Sequence, residues 1–404
     1  MSQHRGLVIV GGGAAGIGAA LEAKAKGVDA LILEAGNRLG GRGHSIAWKG
    51  YNLDLGCTWL HSAEQNSLRA EAERLGRTVN RGATHWFSQY RDLGFTPAEQ
   101  AEASAAYEQL ESCMAEVPPP SDRASDAIDA DNPWKPWLDS ISGYLNGAPL
   151  DEVSVADWLA YDDAASMHNW RLPGGYGALI SALGADCDHR LATRVTAISR
   201  ARDAVQVSTT EGMLSCDKAI VTVPTSVLNR IRFDPPLEGL FEAAEALPLG
   251  LADKLFLELD SAEEFPHSAH LAGNPFSAET GSYTLHPMGM PVIEAFYGGL
   301  GARALEKLTD EDAAAFAIDE LTALLGSGIR KRLRFVTRSC WGQEPLALGS
   351  YSHAQPGKAD MRARLAEAGD ARIRFAGEAT SPTAYSTAHG AFDSGKAAVR
   401  RLYG

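Results

Sequence analysis

Residues 7–34, LVIVGGGAAGIGAALEAKAKGVDALILE, decide the fold. LVIV (7–10) is a short apolar run of buried-strand type, GGGAAG (11–16) is a turn, and residues 17–26 carry helical spacing that stops at Gly27. ALILE (30–34) is a second buried strand ending on Glu34. Two such strands joined through one helix make a compact parallel β-α-β unit, the opening of a doubly wound α/β sheet.

Gly11, Gly13 and Gly16 fill a G-x-G-x-x-G pattern between that strand and helix. Their missing side chains permit a tight turn, close approach of backbone to a pyrophosphate, and helix-to-strand packing. Glu34 stands at the end of the second strand, where a carboxylate accepts hydrogen bonds from a ribose diol and repels a 2'-phosphate. FAD or NAD fits this arrangement and NADP fits poorly. Further along, Arg42 in NRLGGR offers a planar cation able to fork onto a phosphate, or equally a solvated surface charge.

The chain of 404 residues is long for one hydrophobic core, so two interleaved units are expected. Its composition, 45% hydrophobic and 22% charged, is that of a globular protein. A net charge of -14 would repel nucleic-acid backbones and anionic membranes while tolerating cationic ligands. Five scattered cysteines without a C-x-x-C pair indicate neither a disulfide framework nor a zinc site. His267 and His270 could form at most half a metal site, so no metal is expected. The start lacks a signal-peptide pattern and no run of eighteen apolar residues occurs, which reads as a soluble, cytoplasmic chain.

After an Ala- and Glu-rich stretch at 99–116, read as an exposed helix, and a proline-rich loop, residues 194–224 suggest an antiparallel meander rejoining the first sheet. The stripe Trp86, Phe87, Tyr90 and Phe95 reads as core or pocket wall, and Trp134 and Trp137 as packing. FAGEA puts Gly377 and Glu378 at a strand end. TAHGAFDSGKAA then gathers Ala391, Ser394, Gly395 and Ala398 on one helical face, whose N-terminus could stabilise negative charge on a reduced flavin, or which could simply pack tightly. GAFDSGK nearly matches a phosphate-binding loop, but Ala397 replaces the magnesium-binding hydroxyl and an ATPase is rejected.

GGGAAG, LEAGNRLGGR, LDLGCTWLH and FAGEAT with STAHGAFDSG, in this order, resemble the flavin-dependent amine oxidases, with polyamine oxidases nearest. Segments RLPGGYGALI, AIVTVP, GLADK, CWGQEP and GSYSHAQPG extend the resemblance, while residues 80 to 170 fall outside it. The resemblance implies a Rossmann-like FAD-binding domain from residues 1–79, 174–244 and 343–404, with an inserted α+β substrate-binding domain from 80–173 and 245–342. It implies that Glu34 holds the adenosine ribose, that Arg42 supports the cofactor, and that Glu378 approaches the ribityl or pyrophosphate region. Gly11, Gly13, Gly16, Gly56, Gly377 and Ala388 are carried over as cofactor-binding positions. Lys254 matches a lysine that holds a water against flavin N5, although a strand-end lysine reaching solvent is the plainer alternative.

Trp341 and Tyr351 match the substrate face of the flavin, with Thr387 where a second aromatic ring stands in monoamine oxidases. Trp59 and His61 fall at the mouth of the substrate tunnel, and an ordinary hydrogen-bonded histidine is the alternative for His61. Ser350 replaces the cysteine that tethers flavin covalently, so FAD is expected to be non-covalent. The implied reaction passes hydride from the carbon beside a neutral amine to flavin N5, giving an imine that water hydrolyses, with dioxygen yielding hydrogen peroxide. An L-amino-acid oxidase, an FAD-dependent desaturase and a catalytically silent flavin-binding scaffold are the alternatives.

Overall fold

The computed structural model describes residues 4–404 apart from Phe87. Strand β1 (His4–Val10), helix α1 (Ala14–Ala25) and strand β2 (Ala30–Leu33) form the opening unit. The helix starts three residues before the sequence reading, because it begins inside the glycine turn. β1 pairs in parallel with β2 on one side and with β3 (Gly212–Val221) on the other. The register sets Val10 opposite both Leu33 and Val221, so Gly11, Glu34 and Thr222 emerge together at one sheet edge. In an open parallel sheet that edge is where ligands bind. The meander appears as predicted: Val195–Arg200, Val205–Thr209 and β3 run antiparallel, and Ile373–Phe375 completes the parallel part beside β3.

The glycine turn is fixed by sterics. Gly11 has φ +108, and a Cβ on Gly16 would stand 1.9 Å from the Gly11 carbonyl oxygen. Gly16 therefore acts through packing of the turn, not through the space in front of it.

A second, five-stranded sheet is antiparallel throughout, in the order Ala269–Ala272, Ser282–Leu285, β5, β4 and Leu333–Arg338, where β4 is Ala252–Leu259 and β5 is Val292–Gly298. β4 is an inner strand, paired on both sides, and all but one of its residues are buried. Its neighbours set Lys254 opposite Phe296 and Phe256 opposite Glu294, which makes Lys254 and Glu294 diagonal neighbours across the pair.

Helix α2 (Pro97–Glu116) departs from the reading as an exposed element. Ala103, Ala106, Leu110 and Met114 are buried at spacings of three and four, a stripe that packs against Trp134, Leu138 and Trp158. Trp158 lies on α3 (Val155–Asp162). The amphipathic helix predicted near Asp310 is α4 (Asp310–Leu325), capped by the Thr309 side chain and buried along Ala313, Ala317 and Leu321.

The last helix, α5 (Ala388–Tyr403), includes all of GAFDSGK, so this stretch forms no phosphate loop. It lies directly on α1: a Cβ on Gly395 would be 1.9 Å from the Ala15 carbonyl, and one on Gly18 2.2 Å from the Phe392 carbonyl. The small-residue face thus serves helix-to-helix packing and locks the last element of the chain onto the first.

Candidate active site

One cavity of about 1140 Å³ runs between the two sheets. That exceeds the roughly 300–1,000 Å³ of an ordinary small-molecule pocket. Among the residues singled out from sequence, Gly11, Gly13, Glu34, Arg42, Gly56, Trp59, His61, Lys254, Trp341, Tyr351, Gly377, Glu378, Thr387 and Ala388 all line it. Gly16 does not, for the packing reason given above.

At the parallel-sheet end, the Glu34 carboxylate accepts the N–H groups of Gly12 and Gly36, each at 2.6 Å. Each oxygen keeps lone pairs for a further donor. Gly13 faces open space, with nothing nearer to its missing Cβ than Gly41 at 3.9 Å. Arg42 donates to Glu378 at 2.9 Å and to the Ser350 carbonyl at 2.6 Å. Glu378 also accepts Ser352 Oγ at 2.6 Å and the Ser386 N–H at 3.0 Å. Burial acts to raise this carboxyl, but Arg42, Ser352 and Arg362 outweigh it and hold it below the ordinary range. Behind it, Arg362 makes a fully buried two-pronged pair with Asp157 at 2.6 and 2.7 Å. Glu378 is therefore the hub of a charge network that ties α3 to the parallel-sheet end of the cavity.

At the junction, Lys254 is buried, not strand-end and solvated. Its Nζ donates to the Asp54 carbonyl at 3.1 Å and to Thr58 Oγ1, and lies 3.4 Å from Glu294. Glu294 in turn pairs with Arg171 at 2.6 Å, and Arg171 stacks over the Trp59 ring at 5.0 Å. Burial would raise Glu294, and the two cations more than compensate, leaving it below its usual value. The ammonium thus has the partners a buried charge requires. Trp341 donates its indole N–H to the Leu55 carbonyl at 3.0 Å. Gly56 lies beneath that indole, where a Cβ would meet the ring at 3.2 Å and the Arg42 carbonyl at 1.7 Å.

The remaining lobe is lined by α2, α3 and the five-stranded sheet. Trp86 packs edge-on to Trp59 at 4.8 Å, while Phe95 joins Trp134 and Trp137 and Tyr90 turns to Phe265. The predicted aromatic stripe therefore splits between cavity wall and core, and Phe87 lies outside the described residues. His61 Nδ1 contacts Asn169 at 2.7 Å, and burial lowers its proton affinity. His267 and His270 diverge, the first against His286 and the second toward Ser282.

Comparison with known proteins bears on this geometry. The family described as flavin containing amine oxidoreductase matches residues 130–403, and an NAD(P)-binding Rossmann-like domain matches residues 9–75. Polyamine oxidase 4 of Oryza sativa subsp. japonica is 31% identical over 97% of this chain and 87% of its own length. Polyamine oxidase 2 of Arabidopsis thaliana is 29% identical over 96% of this chain and 86% of its own. In fold, putrescine oxidase bound to putrescine superposes with a TM-score of 0.81 at 20% identity, covering 99% of both chains. The chain belongs to the flavin-containing amine oxidoreductases.

An amine oxidoreductase of this family depends on FAD, and the residues present fit that group. The open face of Gly13 and the half-satisfied Glu34 carboxylate suit a pyrophosphate and a ribose diol. Ser350 Oγ is spent on the main chain of Ala252, accepting its N–H at 2.7 Å and donating to its carbonyl at 2.8 Å. The thiol lining the cavity, Cys57, is pushed up to about 12 by burial, so no ready thiolate faces the flavin region. Both observations accord with non-covalent FAD. Tyr351 donates to the Tyr144 carbonyl at 2.6 Å, and Thr387 is the cap of α5, its hydroxyl accepting the Gly390 N–H at 3.0 Å and donating to Ala384 at 2.7 Å. Thr387 can offer the cavity only its aliphatic part. Sequence reasoning missed Thr58, Arg171 and Glu294 around Lys254, because their juxtaposition depends on three separate strands and loops. It also missed Glu108, Glu111 and Asp162 in the far lobe, for which the apolar stripe of α2 was the available signal.

Proposed function

We propose that this enzyme oxidises polyamines or closely related amines, using dioxygen as electron acceptor and releasing hydrogen peroxide. The observation that carries the reading is the sorting of charge along one cavity. Arg38, Arg42, Arg194 and Arg230 line the cofactor end together with Glu34, Glu344 and Glu378, whereas the far lobe carries Glu108, Glu111 and Asp162 without a lysine or arginine among its lining residues. A cationic chain would be drawn to that lobe with its reacting carbon toward Lys254 and Trp341. The relatives named polyamine oxidase and the likeness to putrescine oxidase support the same substrate class.

When bound, FAD supplies a two-electron acceptor for the hydride leaving the carbon beside a neutral amine, and dioxygen takes those electrons to give peroxide. The protein's own contribution is positioning and electrostatics. Glu34 and Gly13 would hold one end of the cofactor, and the Arg42–Glu378 pair orders the cavity wall nearby. Lys254, fixed by Glu294, Thr58 and the Asp54 carbonyl, places a positive charge at the junction. Trp59, Trp341 and Tyr351 exclude water, which lowers an amine's hold on its proton. The discontinuous cofactor unit and the inserted substrate unit would meet at this junction.

An amino-acid substrate would call for an arginine facing its carboxylate. Among the described residues, the arginines lining the cavity stand at the cofactor end, and three of the four are engaged there: Arg42 on Glu378, Arg230 on the Pro345 carbonyl and Arg38 on carbonyls of its own loop, while the far lobe offers no arginine. A peroxide assay across polyamines, acetylated polyamines, aromatic monoamines and L-amino acids tests the reading. Peroxide with the polyamines is the expected result, and turnover of amino acids alone would overturn it.

A further inference from the structure

Behind the Trp341 wall sits a carboxyl group that the proposed chemistry does not use. Asp253, next to Lys254 on β4, is fully buried. Its Oδ1 accepts Ser339 Oγ at 2.7 Å and the Trp341 N–H at 3.0 Å, and the same Ser339 oxygen receives the Lys254 N–H at 2.9 Å. One oxygen therefore ties together the main chain of two residues that line the cavity. Its other oxygen, Oδ2, is buried without a hydrogen-bond partner. Beside it stands Glu306, whose Oε1 accepts the Gly342 N–H at 2.6 Å and whose Oε2 is close enough to Gly342 that a Cβ there would meet it at 2.5 Å.

Charging a fully buried carboxyl beside a second, half-buried one is costly, and so is a buried acceptor left without a donor. A proton on Oδ2, donated to Glu306, resolves both at once. We propose that Asp253 keeps a proton on Oδ2 and donates it to Glu306, and that this dyad is the positioning device that holds Lys254 and Trp341 in the cavity wall. The inference goes beyond the proposed reaction and does not depend on which amine is oxidised.

The other titratable groups near Asp253 are Tyr351 and Cys340, with Arg338 committed to Asp310 at 2.8 Å. Burial, together with the charge of Glu306, raises Asp253 to about 8. Unfolded, an aspartate titrates near about 3.9. The folded protein thus binds an extra proton between those values. The group's contribution to stability falls as pH rises through that window and levels off above about 8.

Infrared spectroscopy and thermal melting of the FAD-loaded enzyme test this without any substrate. At about pH 7, above the value at which Asp162 loses its proton, the difference spectrum of wild type minus Asp253→Asn should show a protonated-carboxyl C=O stretch. That band should titrate near about pH 8 in the wild type. In Glu306→Gln it should titrate lower by about one pH unit or more. Asp253→Asn, whose amide donates to Glu306 in place of the proton, should lose less melting temperature between about pH 5 and about pH 8 than the wild type. Positioning is read from flavin reduction at saturating amine: Asp253→Leu, which cuts the Ser339 and Trp341 bonds, should slow it about tenfold or more, and Asp253→Asn by less than about threefold. No protonated-carboxyl band in that difference spectrum overturns the dyad, as does a Leu variant faster than the Asn variant. Should a residue-253 variant fail to fold, the wild-type and Glu306→Gln spectra still decide.

Discussion

Replacing Lys254 by methionine removes an ammonium that Glu294, Thr58 and the Asp54 carbonyl surround, while keeping a side chain of similar length. Glu294 retains Arg171, so no carboxylate is left buried alone. FAD should remain bound, and one of the two half-reactions should slow by about 10²-fold, the scale of losing one preorganised charge. Stopped-flow absorbance of flavin reduction and reoxidation checks it, and two unchanged rates would remove Lys254 from the chemistry. Glu378 gives a second test. Its folded proton affinity is held low by Arg42 and Ser352, so its contribution to stability is complete above the ordinary carboxylate range and is lost as pH falls through its depressed value. Acid titration should therefore release FAD, seen as recovered flavin fluorescence. Glu378→Gln, which keeps an acceptor for Arg42 but removes the charge that balances it, should release it at higher pH than the wild type.

At the scale of elements, the contact between α1 and α5 decides whether a cofactor site exists, since one helix follows the glycine turn and the other carries Ala388 and Ala391 into the cavity. Gly395→Ala places a methyl 1.9 Å from the Ala15 carbonyl, and neither helix backbone can yield locally. It should cost about 1–3 kcal/mol and reduce FAD content, measured by melting temperature and flavin-to-protein absorbance ratio. A wild-type melting curve would mean that the helices separate freely. This contact also shows what was legible in the sequence. The glycine turn, Glu34 and the strand at Lys254 were readable because local chemistry fixes them: a β run, a positive-φ glycine, a charge inside an apolar stretch. The purpose of the small residues on α5 was not, because Gly395 looks the same whether it approaches a flavin or another helix. The helix read as exposed at 99–116, in the stretch outside the resemblance, was misjudged for a related reason. The buried stripe Ala103, Ala106, Leu110 and Met114 is half alanine, too weakly apolar to stand out from the glutamates around it. Lys254's carboxylate partner was hidden by distance, forty residues away on the neighbouring strand, and only the antiparallel register brings Glu294 to it.

Across the whole molecule, charge is organised twice, as a net -14 overall and as an anionic lobe at one end of the cavity. The two act differently. Net charge governs encounter and is screened beyond a Debye length of about 8 Å at physiological salt, whereas charges at a low-dielectric wall persist at contact. Asp162 makes the second effect measurable, because burial and the neighbouring Glu111 and Asp163 raise it to about 6. Below that value it is neutral. As pH rises through about 6 it gains its charge, and KM for a diamine or polyamine should fall, whereas KM for an aromatic monoamine, with no second cation to reach the lobe, should stay flat over the same interval. Added salt should raise KM for the polyamine more than for the monoamine. Asp162→Asn should remove the pH step while leaving part of the salt dependence, which Glu108 and Glu111 continue to supply. Parallel pH and salt responses for both substrates would mean that the far lobe does not meet the distal end of the amine, and that the attraction is a property of the surface alone.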